Sequence, residues 1–159
     1  MSCQYFLKTP KGFPVPYLRV RTSALGLQVI DFMHTSGEND PLTETMHAVI
    51  NALENYFKGT LYGFDLPLDL IGSSFQKQVW QALQTIPYAQ TRTYAQIAAQ
   101  IAKPKAYRAV GNANHANPCP IVIPCHRVVR ASGDLGGYGG GVDIKAWLLT
   151  HERSCVKSI

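Results

Sequence analysis

The sequence has no apolar run that approaches the roughly 20 residues a membrane-spanning helix needs. Its opening residues are too polar for the apolar core of a secretory leader. No internal repeat or low-complexity segment interrupts the chain, and the four cysteines form no paired pattern. These absences exclude a membrane-embedded or repeat protein. They favour free thiols in a reducing compartment, so we expect a cytoplasmic protein, or a nuclear one in a eukaryote, with no membrane partner.

Metal and nucleotide sites also lack their usual patterns. Cys119, Cys125 and His126 are close in sequence but have no second Cys or His pair at the spacing of a zinc site. The glycine-rich segment 130–141 lacks the Lys and the Ser or Thr that end a phosphate-binding loop. The sequence therefore predicts no metal ion and no cofactor.

The composition is that of a folded protein with a polyanionic partner. Of the 159 residues 46% are hydrophobic, which is enough for a core, and the length fits one large or two small domains. The formal net charge is +5 and the pI is about 9.1. This balance favours a polyanion without identifying it.

The first part of the chain predicts a small α/β unit. Residues 17–22 alternate apolar and polar side chains as a half-buried strand does, and residues 25–32 form a second predicted strand. A helix is predicted over residues 43–57, with a glycine just beyond its end. Residues 63–72, with a proline inside, are predicted to be a linker.

Beyond the linker the pattern changes to short helices, and we divide the chain into domains 1–70 and 71–159. Ser74 is the predicted N-cap of the first of these helices. The further predicted elements are a helix with a capping box at residues 93–96, a helix over 105–113 or 105–115 with Pro104 in its first turn, and a last helix over 142–151. The two middle helices would form a helix-turn-helix, which is typical of DNA-binding proteins.

The second helix of this pair carries unusually small side chains. Ala106, Ala109, Gly111 and Ala113 would let its backbone approach a partner closely, and Arg108 is the long cation among them. Small residues on a helix often serve helix packing alone. Together with the basic charge, the pattern shifts the interpretation toward DNA.

The central segment of the sequence sets a cysteine beside a histidine. The apolar run 121–123 predicts a short buried strand that Pro124 ends, with Cys125 held by core on one side and open on the other. A thiol is a strong nucleophile only as thiolate, and the neighbouring His126 is a usual means of forming one. The alternative is an inert buried cysteine that acts as a small apolar side chain.

Residues 124–129, Pro-Cys-His-Arg-Val-Val, resemble the active-site signature of the O6-alkylguanine-DNA alkyltransferases. The similarity is dense from Ser74 to Glu152 and slight in the first 50 residues. Further matching segments are Thr93-Tyr94, Arg108-Ala109-Val110-Gly111, Asn117-Pro118, and residues 137–140 and 145–152. The resemblance implies an α/β protein: a small N-terminal α/β domain of RNase H-like type and a mainly helical C-terminal helix-turn-helix domain of winged-helix-like type.

The resemblance also implies roles for five residues in an irreversible transfer of one alkyl group per molecule. Cys125 would accept a methyl or larger alkyl group from O6 of guanine, with His126 as base through a water and Glu152 orienting that histidine. Tyr138 would help to protonate the departing guanine at N3. Asn117 would tether the turn before the active site.

The implied partner is double-stranded DNA that carries O6-alkylguanine, and O4-methylthymine is a second expected substrate. The small-faced helix would enter the minor groove of DNA, the target base would be flipped out, and the protein would be a monomer. Arg108 would fill the vacated place in the base stack, and Tyr94 would push on the target's 3′ phosphate. The other implied DNA contacts are Ala106, Ala109 and Gly111, and the implied pocket residues are Val128, Gly139, Gly140 and Lys145.

The sequence departs from the family pattern at some positions, and two other functions have to be weighed against alkyl transfer. Some members hold zinc in the N-terminal domain, but Cys3 alone is present there, so we predict none. Asn114 and His115 differ from some relatives and are expected to affect DNA affinity or pocket access. One rival is a DNA-binding protein without catalysis, against which the presence of Cys125 argues. The other is a cysteine hydrolase, which would leave the helix-turn-helix unexplained.

Overall fold

The computed structural model describes residues 2–135 and 141–157, and the chain divides into two compact units, Met1–Ile71 and Gly72–Ile159. Both units mix helices with small sheets, so the chain is an α/β protein. None of the helices within the described ranges is long and apolar enough to cross a membrane. The first unit contains the strands β1 (Cys3–Lys8), β2 (Tyr17–Thr22) and β3 (Leu27–Met33) and the helix α1 (Glu44–Lys58).

The sheet of the first unit is antiparallel, with strand order β1-β2-β3. Alternate residues of β2, Leu18 and Val20, are fully buried, while Arg19 and Arg21 lie on the other face. The predicted alternation in β2 is therefore confirmed. Strand β1 was not predicted, because its apolar and polar side chains do not alternate regularly between buried and exposed positions.

The helix α1 confirms the predicted helix over 43–57. Thr43 is its N-cap and accepts a hydrogen bond from the backbone N–H of Met46, and Gly59 ends it in the left-handed conformation. Its buried face packs on the sheet through residues that recur at helical spacing. These residues are Met46, Val49, Ile50, Leu53 and Tyr56.

The predicted linker is partly built into the first unit. The backbone of Leu27 in β3 accepts from Asp69 and donates to Pro67, so residues 67–69 run along the start of that strand. Gly26 makes this approach feasible, because a Cβ there would clash with the backbone of Pro67. Asp69 also accepts hydrogen bonds from the side chains of Ser23 and Gln28.

The second unit is mainly helical, with one short parallel sheet. Its elements are α2 (Ser74–Leu83), β4 (Arg92–Thr93), α3 (Tyr94–Gln100), α4 (Tyr107–His115), a 3₁₀ turn (Cys125–Arg127), β5 (Val128–Val129) and α5 (Val142–Lys157). The cap of α2 is Ser73, one residue before the predicted Ser74, because Ser73 completes a capping box with Gln76. The predicted capping box of Thr93 and Gln96 is confirmed.

Helices α3 and α4 form the predicted helix-turn-helix, with one correction. Pro104 lies in the turn and not in the first turn of α4, which begins at Tyr107. The turn needs Ala102 at a φ of 61°, and this left-handed residue separates the two helices. Trp80 of α2 donates its indole N–H to the carbonyl of Ala113 at 2.8 Å, which fixes α4 against the core of the unit.

The predicted strand over residues 121–123 is wrong. These residues are buried as expected, but Ile121 has a φ of 76°, which a strand cannot contain. The backbone N–H of Ile123 donates to the carbonyl of Cys119, closing a tight turn. The apolar run therefore supplies buried side chains but no regular ladder.

Candidate active site

Cys125 opens the 3₁₀ turn that follows this tight turn. Asn117 fixes the segment before it: the side-chain amide donates to the carbonyl of Ile123 at 2.7 Å and its oxygen accepts from the backbone N–H of Cys119 at 3.0 Å. Asn117 therefore bonds to both ends of the turn that the resemblance implied it would tether. Cys125 is only 4% exposed, so the expectation that one side is open is wrong for this conformation.

His126 and Glu152 form a fully buried pair. Glu152 lies in α5, which extends to Lys157 and is longer than the predicted helix, and its Oε2 is 2.6 Å from Nε2 of His126. Both side chains are completely inaccessible to solvent. Residues 26 positions apart in the sequence are therefore brought together next to Cys125, in the arrangement that the resemblance implied for them.

Glu152 is further held by three hydrogen bonds that the sequence analysis did not anticipate. Arg127 donates to both carboxylate oxygens, at 2.9 and 3.0 Å, in a bidentate pair. The backbone N–H of Ala89 donates to Oε1 at 3.0 Å, and Ala89 has a φ of 62°. Arg127 also donates to the carbonyl of Ile86 and lies over the ring of Tyr88. The carboxylate is therefore held by four hydrogen bonds from three residues.

These contacts set the protonation states of the pair. Burial alone would raise the pKa of Glu152, but the hydrogen bonds and charges of His126 and Arg127 outweigh it and hold that pKa well below its usual range. Burial lowers the pKa of His126, and the charges of Arg127 and Lys145 act in the same direction against the opposing effect of Glu152. At neutral pH the pair is a carboxylate and a neutral imidazole.

The tautomer of His126 follows from this assignment. A carboxylate can only accept, so Nε2 must carry the hydrogen that lies between His126 and Glu152. Nδ1 then bears the lone pair, and it is buried with no hydrogen-bond partner among the residues described. His126 is thereby prepared to accept a proton at Nδ1 while Glu152 stabilises the resulting imidazolium.

Lys145 and Tyr94 lie within electrostatic range of Cys125. Lys145, on α5, is fully buried, and burial lowers its pKa to about 8. Burial also raises the pKa of Tyr94, with the charge of Arg130 opposing that shift. Tyr94 therefore remains a neutral phenol at neutral pH. The pairing of Thr93 with Val129 in the β4–β5 ladder places Tyr94 next to the segment that leaves the 3₁₀ turn.

The predicted DNA contacts on α4 divide between two faces. Arg108 and Ala109 are exposed, Ala106 and Gly111 are half-buried, and Ala113 is buried against the core. Ala113 is thus a packing residue and not part of the small surface. A Cβ on Gly111 would lie 3.8 Å from the ring of Tyr94, so these two predicted contacts are neighbours.

The remaining predicted pocket residues are only partly described. Val128 is fully buried in β5. Tyr138, Gly139 and Gly140 lie outside the described residues. No group of three metal-binding side chains was found in the described part of the chain.

Arg127 is a residue of the site to which the sequence pattern gave no role. A cation inside the apolar stretch that ends at Val129 signals a buried anionic partner, since an unpaired buried charge is costly, and this signal was available. Asn114 and His115 were expected to affect DNA affinity or pocket access; Asn114 is 3% exposed and donates to the carbonyl of Cys125. Only His115 of the two is exposed.

Comparison with known proteins shows the family. Residues 74–154 match the model of the 6-O-methylguanine DNA methyltransferase DNA-binding domain. A methylated-DNA–protein-cysteine methyltransferase of Mycolicibacterium paratuberculosis is 58% identical over 114 residues, which are 70% of this chain and 69% of that protein. The chain belongs to this family. Its members repair DNA directly by moving an alkyl group onto a cysteine of their own.

Further family members extend the similarity to both units. A methyltransferase of the same name from Methanosarcina acetivorans is 56% identical over 103 residues, which are 65% of this chain and 66% of that protein. The crystal structure of the O6-methylguanine methyltransferase of Mycobacterium tuberculosis has a TM-score of 0.84 at 40% identity, covering 97% of this chain and 94% of that one. A crystal structure of the M. tuberculosis protein in complex with DNA has a TM-score of 0.83 at 41% identity, covering 94% and 92%.

Proposed function

We propose that this chain repairs O6-alkylguanine in DNA by transferring the alkyl group irreversibly to Cys125. The observation that carries the proposal is the buried His126–Glu152 pair directly after Cys125, with the basic atom of His126 unpaired among the described residues. This is the arrangement a thiol needs to lose its proton in a site closed to bulk water. Family membership supplies the reaction class.

The proposed chemistry is an in-line displacement at the alkyl carbon. The thiol proton of Cys125 passes through a bridging water to Nδ1 of His126, and Glu152 holds the imidazolium through Nε2. The sulfur then forms a bond to the alkyl carbon while the bond between that carbon and O6 breaks. The electron pair of that bond returns to the purine, which takes up one proton and leaves as guanine. We assign this last proton to Tyr138, as the resemblance implies.

The product explains why each molecule would act once. S-alkylcysteine is a thioether without a good leaving group, so water does not regenerate the thiol. The deep burial of Cys125 agrees with this role, because a flipped-out base must enter the protein to meet the sulfur. Outside that encounter the reactive thiol is shielded from other electrophiles.

For the DNA partner we propose that α4 enters the minor groove of double-stranded DNA. Arg108 is exposed and its guanidinium lies 6.0 Å from the ring centre of Tyr107, so it is available to fill the place of the flipped base. Tyr94, half-buried beside Gly111, would contact the adjacent phosphate. The protein would act as a monomer in the compartment that contains the DNA. O4-methylthymine is a proposed second substrate.

At the level of fold we propose the finer assignments that the resemblance implies. The first unit, with a three-stranded antiparallel sheet packed on one helix, would be a small RNase H-like domain. The second unit, with its helix-turn-helix between the paired short strands β4 and β5, would be winged-helix-like.

The intact mass of the protein after incubation with a duplex containing O6-methylguanine tests this proposal. We expect a gain of the mass of one methylene group, localised to Cys125 by peptide mapping. Cys125→Ser should gain nothing, whereas Cys119→Ser and Cys155→Ser, matched controls at cysteines without an assigned role, should gain as the wild type does. A protein that binds the duplex without a gain in mass would instead be a lesion-binding protein, and the proposal would be wrong.

A further inference from the structure

Arg130 is an exposed cation directly after the strand that leaves the active-site turn. It follows Val129 in β5 as Tyr94 follows Thr93 in β4, and Thr93 and Val129 are partners in the parallel ladder. Arg130 and Tyr94 therefore leave the ladder at equivalent positions, side by side. The ordinary explanation of such an arginine is a solvated surface charge, because arginine side chains are mostly exposed in folded proteins. The surroundings of Arg130 favour a more specific role.

The charge of Arg130 acts on groups of the candidate active site. Burial raises the pKa of Tyr94, and the guanidinium of Arg130 opposes that rise. Burial also lowers the pKa of Lys145 to about 8, and Arg130 acts in the same direction. Water and salt screen an exposed charge within about 8–10 Å. The guanidinium therefore lies close to Tyr94 and Lys145, as the register of the ladder requires for Tyr94.

A tight turn holds a carboxylate against Arg130. The backbone N–H of Arg130 donates to the carbonyl of Asp134 at 2.9 Å, and that of Gly133, which has a φ of 86°, donates to the carbonyl of Arg130 at 2.8 Å. Oδ2 of Asp134 lies 4.0 Å from Nη1 of Arg130, which is too long for a hydrogen bond. The two side chains are 62% and 71% exposed. The ion pair is therefore loose, and an incoming anion replaces the carboxylate at little cost.

The DNA of the proposed function supplies such an anion. Tyr94 is the residue to which we assign the phosphate next to the flipped base, and a phenol donates a single hydrogen bond. A phosphate has more acceptor sites than that, and the planar fork of an arginine matches two of them at once. The register of β4 and β5 brings this fork next to Tyr94.

We propose that Arg130 binds the same DNA phosphate as Tyr94, and that Asp134 is an internal competitor that holds the guanidinium until the phosphate replaces it. The inference rests on the proposed function and deepens it, because it concerns how the DNA backbone is held at that site. Asp134 weakens the affinity for DNA, since it pairs with a cation that the DNA needs. The contact is to the backbone, so its contribution is the same in any base sequence.

The test measures the affinity for a duplex with one O6-methylguanine over a range of salt concentrations, in proteins that carry Cys125→Ser so that no methyl group is transferred. The key variants are Arg130→Gln, Asp134→Asn and the double variant. Arg153→Gln, at an exposed arginine of α5 without an assigned contact, is the matched control. Thermal unfolding of each protein is measured alongside, and Arg130→Lys is a second variant that keeps the charge.

We expect Arg130→Gln to weaken binding by about threefold to tenfold and to reduce the slope of log affinity against log salt by about one, as the loss of one phosphate contact does. Arg130→Lys and Arg153→Gln should keep the slope. Asp134→Asn should strengthen binding by about twofold to fivefold, the range of an exposed ion pair. This gain should vanish in the double variant, because Asp134 acts through Arg130.

The possible failures are distinguishable. An unchanged affinity and slope in Arg130→Gln, or an equal loss of slope in Arg130→Lys, would overturn the inference alone. A gain from Asp134→Asn that persists in the double variant would overturn the competition, since Asp134 would then repel DNA without involving Arg130. A protein with Cys125 intact that gains no methyl group from the same duplex would overturn the proposed function itself.

Discussion

Each unit of the molecule contains a close pair of an arginine and a carboxylate, and the two pairs differ in almost every respect. In the first unit Arg19 and Asp31 face each other across β2 and β3 at 2.8 Å, with about a third of each side chain exposed. In the second unit Arg127 and Glu152 meet at 2.9 Å with almost no exposure. The first pair remains solvated on a sheet surface, while the second is removed from water.

The two units also differ in which polar side chains they bury. Among the residues that the structure describes, the first unit buries two polar side chains, those of Thr9 and Thr22, whereas the second buries an amide, an imidazole and three charged side chains. A set of apolar residues of similar volume would stabilise the second unit as well or better. The second unit therefore keeps polar and charged side chains near Cys125 at an expected cost in stability that the first unit does not carry.

The largest expected effect comes from removing one member of the buried pair. Arg127→Met should lower the free energy of unfolding by about 3–5 kcal/mol, because it leaves the carboxylate of Glu152 buried without its cation. Urea-induced unfolding of the two proteins measures this difference. The double variant Arg127→Met/Glu152→Leu is the control, and it should recover most of the lost stability. A loss below about 1 kcal/mol would place this pair in the same class as Arg19–Asp31.

A large loss of rate is expected from Glu152→Gln, beside a loss of stability of the kind expected for Arg127→Met, because Arg127 then lacks its buried anion. Glutamine keeps the shape of the side chain but cannot stabilise the imidazolium of His126, so methyl transfer should slow by about 100-fold, which corresponds to about 2.7 kcal/mol. The affinity for DNA should not change, because the side chain is fully buried. Single-turnover rates with saturating duplex and a separate binding titration measure the two quantities. An unaltered rate would show that the pair serves only the fold.

The buried pair should also make the stability of the protein depend on pH. The pKa of His126 is lowered by burial, so below its ordinary value of about 6.5 the unfolded chain binds a proton that the folded protein does not. Stability should therefore decrease as the pH falls from about 6.5, by at most about 1.4 kcal/mol per pH unit from this group. Glu152, whose pKa is depressed, adds to the loss below about pH 4.3.

Unfolding of the wild type and of His126→Gln from pH 8 to pH 4 isolates the contribution of the histidine. The variant should lose less stability than the wild type between about pH 6.5 and pH 4.3, and the curves should run in parallel above that range until Lys145 titrates. Curves that are parallel throughout would mean that folding does not lower the pKa of His126, against the neutral state assigned to it.

The smallest effect is expected in the first unit. Arg19→Ala should change the free energy of unfolding by less than about 1 kcal/mol, because a partly exposed ion pair is screened by water and salt. Raising the salt concentration should reduce even this difference. Measured beside Arg127→Met, a loss of several kcal/mol here would remove the distinction between the two pairs.

Local sequence patterns predicted most of the helices. Thr43 and Gly59 bound α1, and Thr93 with Gln96 starts α3, because caps depend on residues three or four positions apart. Backbone conformation at single residues was not predictable in the same way. The strand expected at residues 121–123 is replaced by a turn, since Ile121 adopts a positive φ that its side chain disfavours in isolation.

Residues of the candidate site that belong to a recognisable motif were predicted from the sequence. Residues that reach the site only through packing were missed. Cys125, His126 and Glu152 were named from the signature, and their grouping depends on a contact between residues far apart in the sequence. Ala89, whose N–H donates to Glu152, has no side-chain chemistry that would draw notice. The orientation of Asn114 toward Cys125 likewise follows from the burial of one face of α4, which a helix pattern alone does not define.

The central claim is that Cys125 takes one alkyl group and is not regenerated. The most direct measurement is the number of O6-methylguanine bases converted to guanine per protein molecule in the presence of a large excess of methylated duplex, followed to completion. We expect a plateau at one guanine per protein molecule, with the methyl group on Cys125 and no repair by Cys125→Ser. Continued conversion beyond one per molecule, or a plateau with the methyl group on another cysteine, would contradict it.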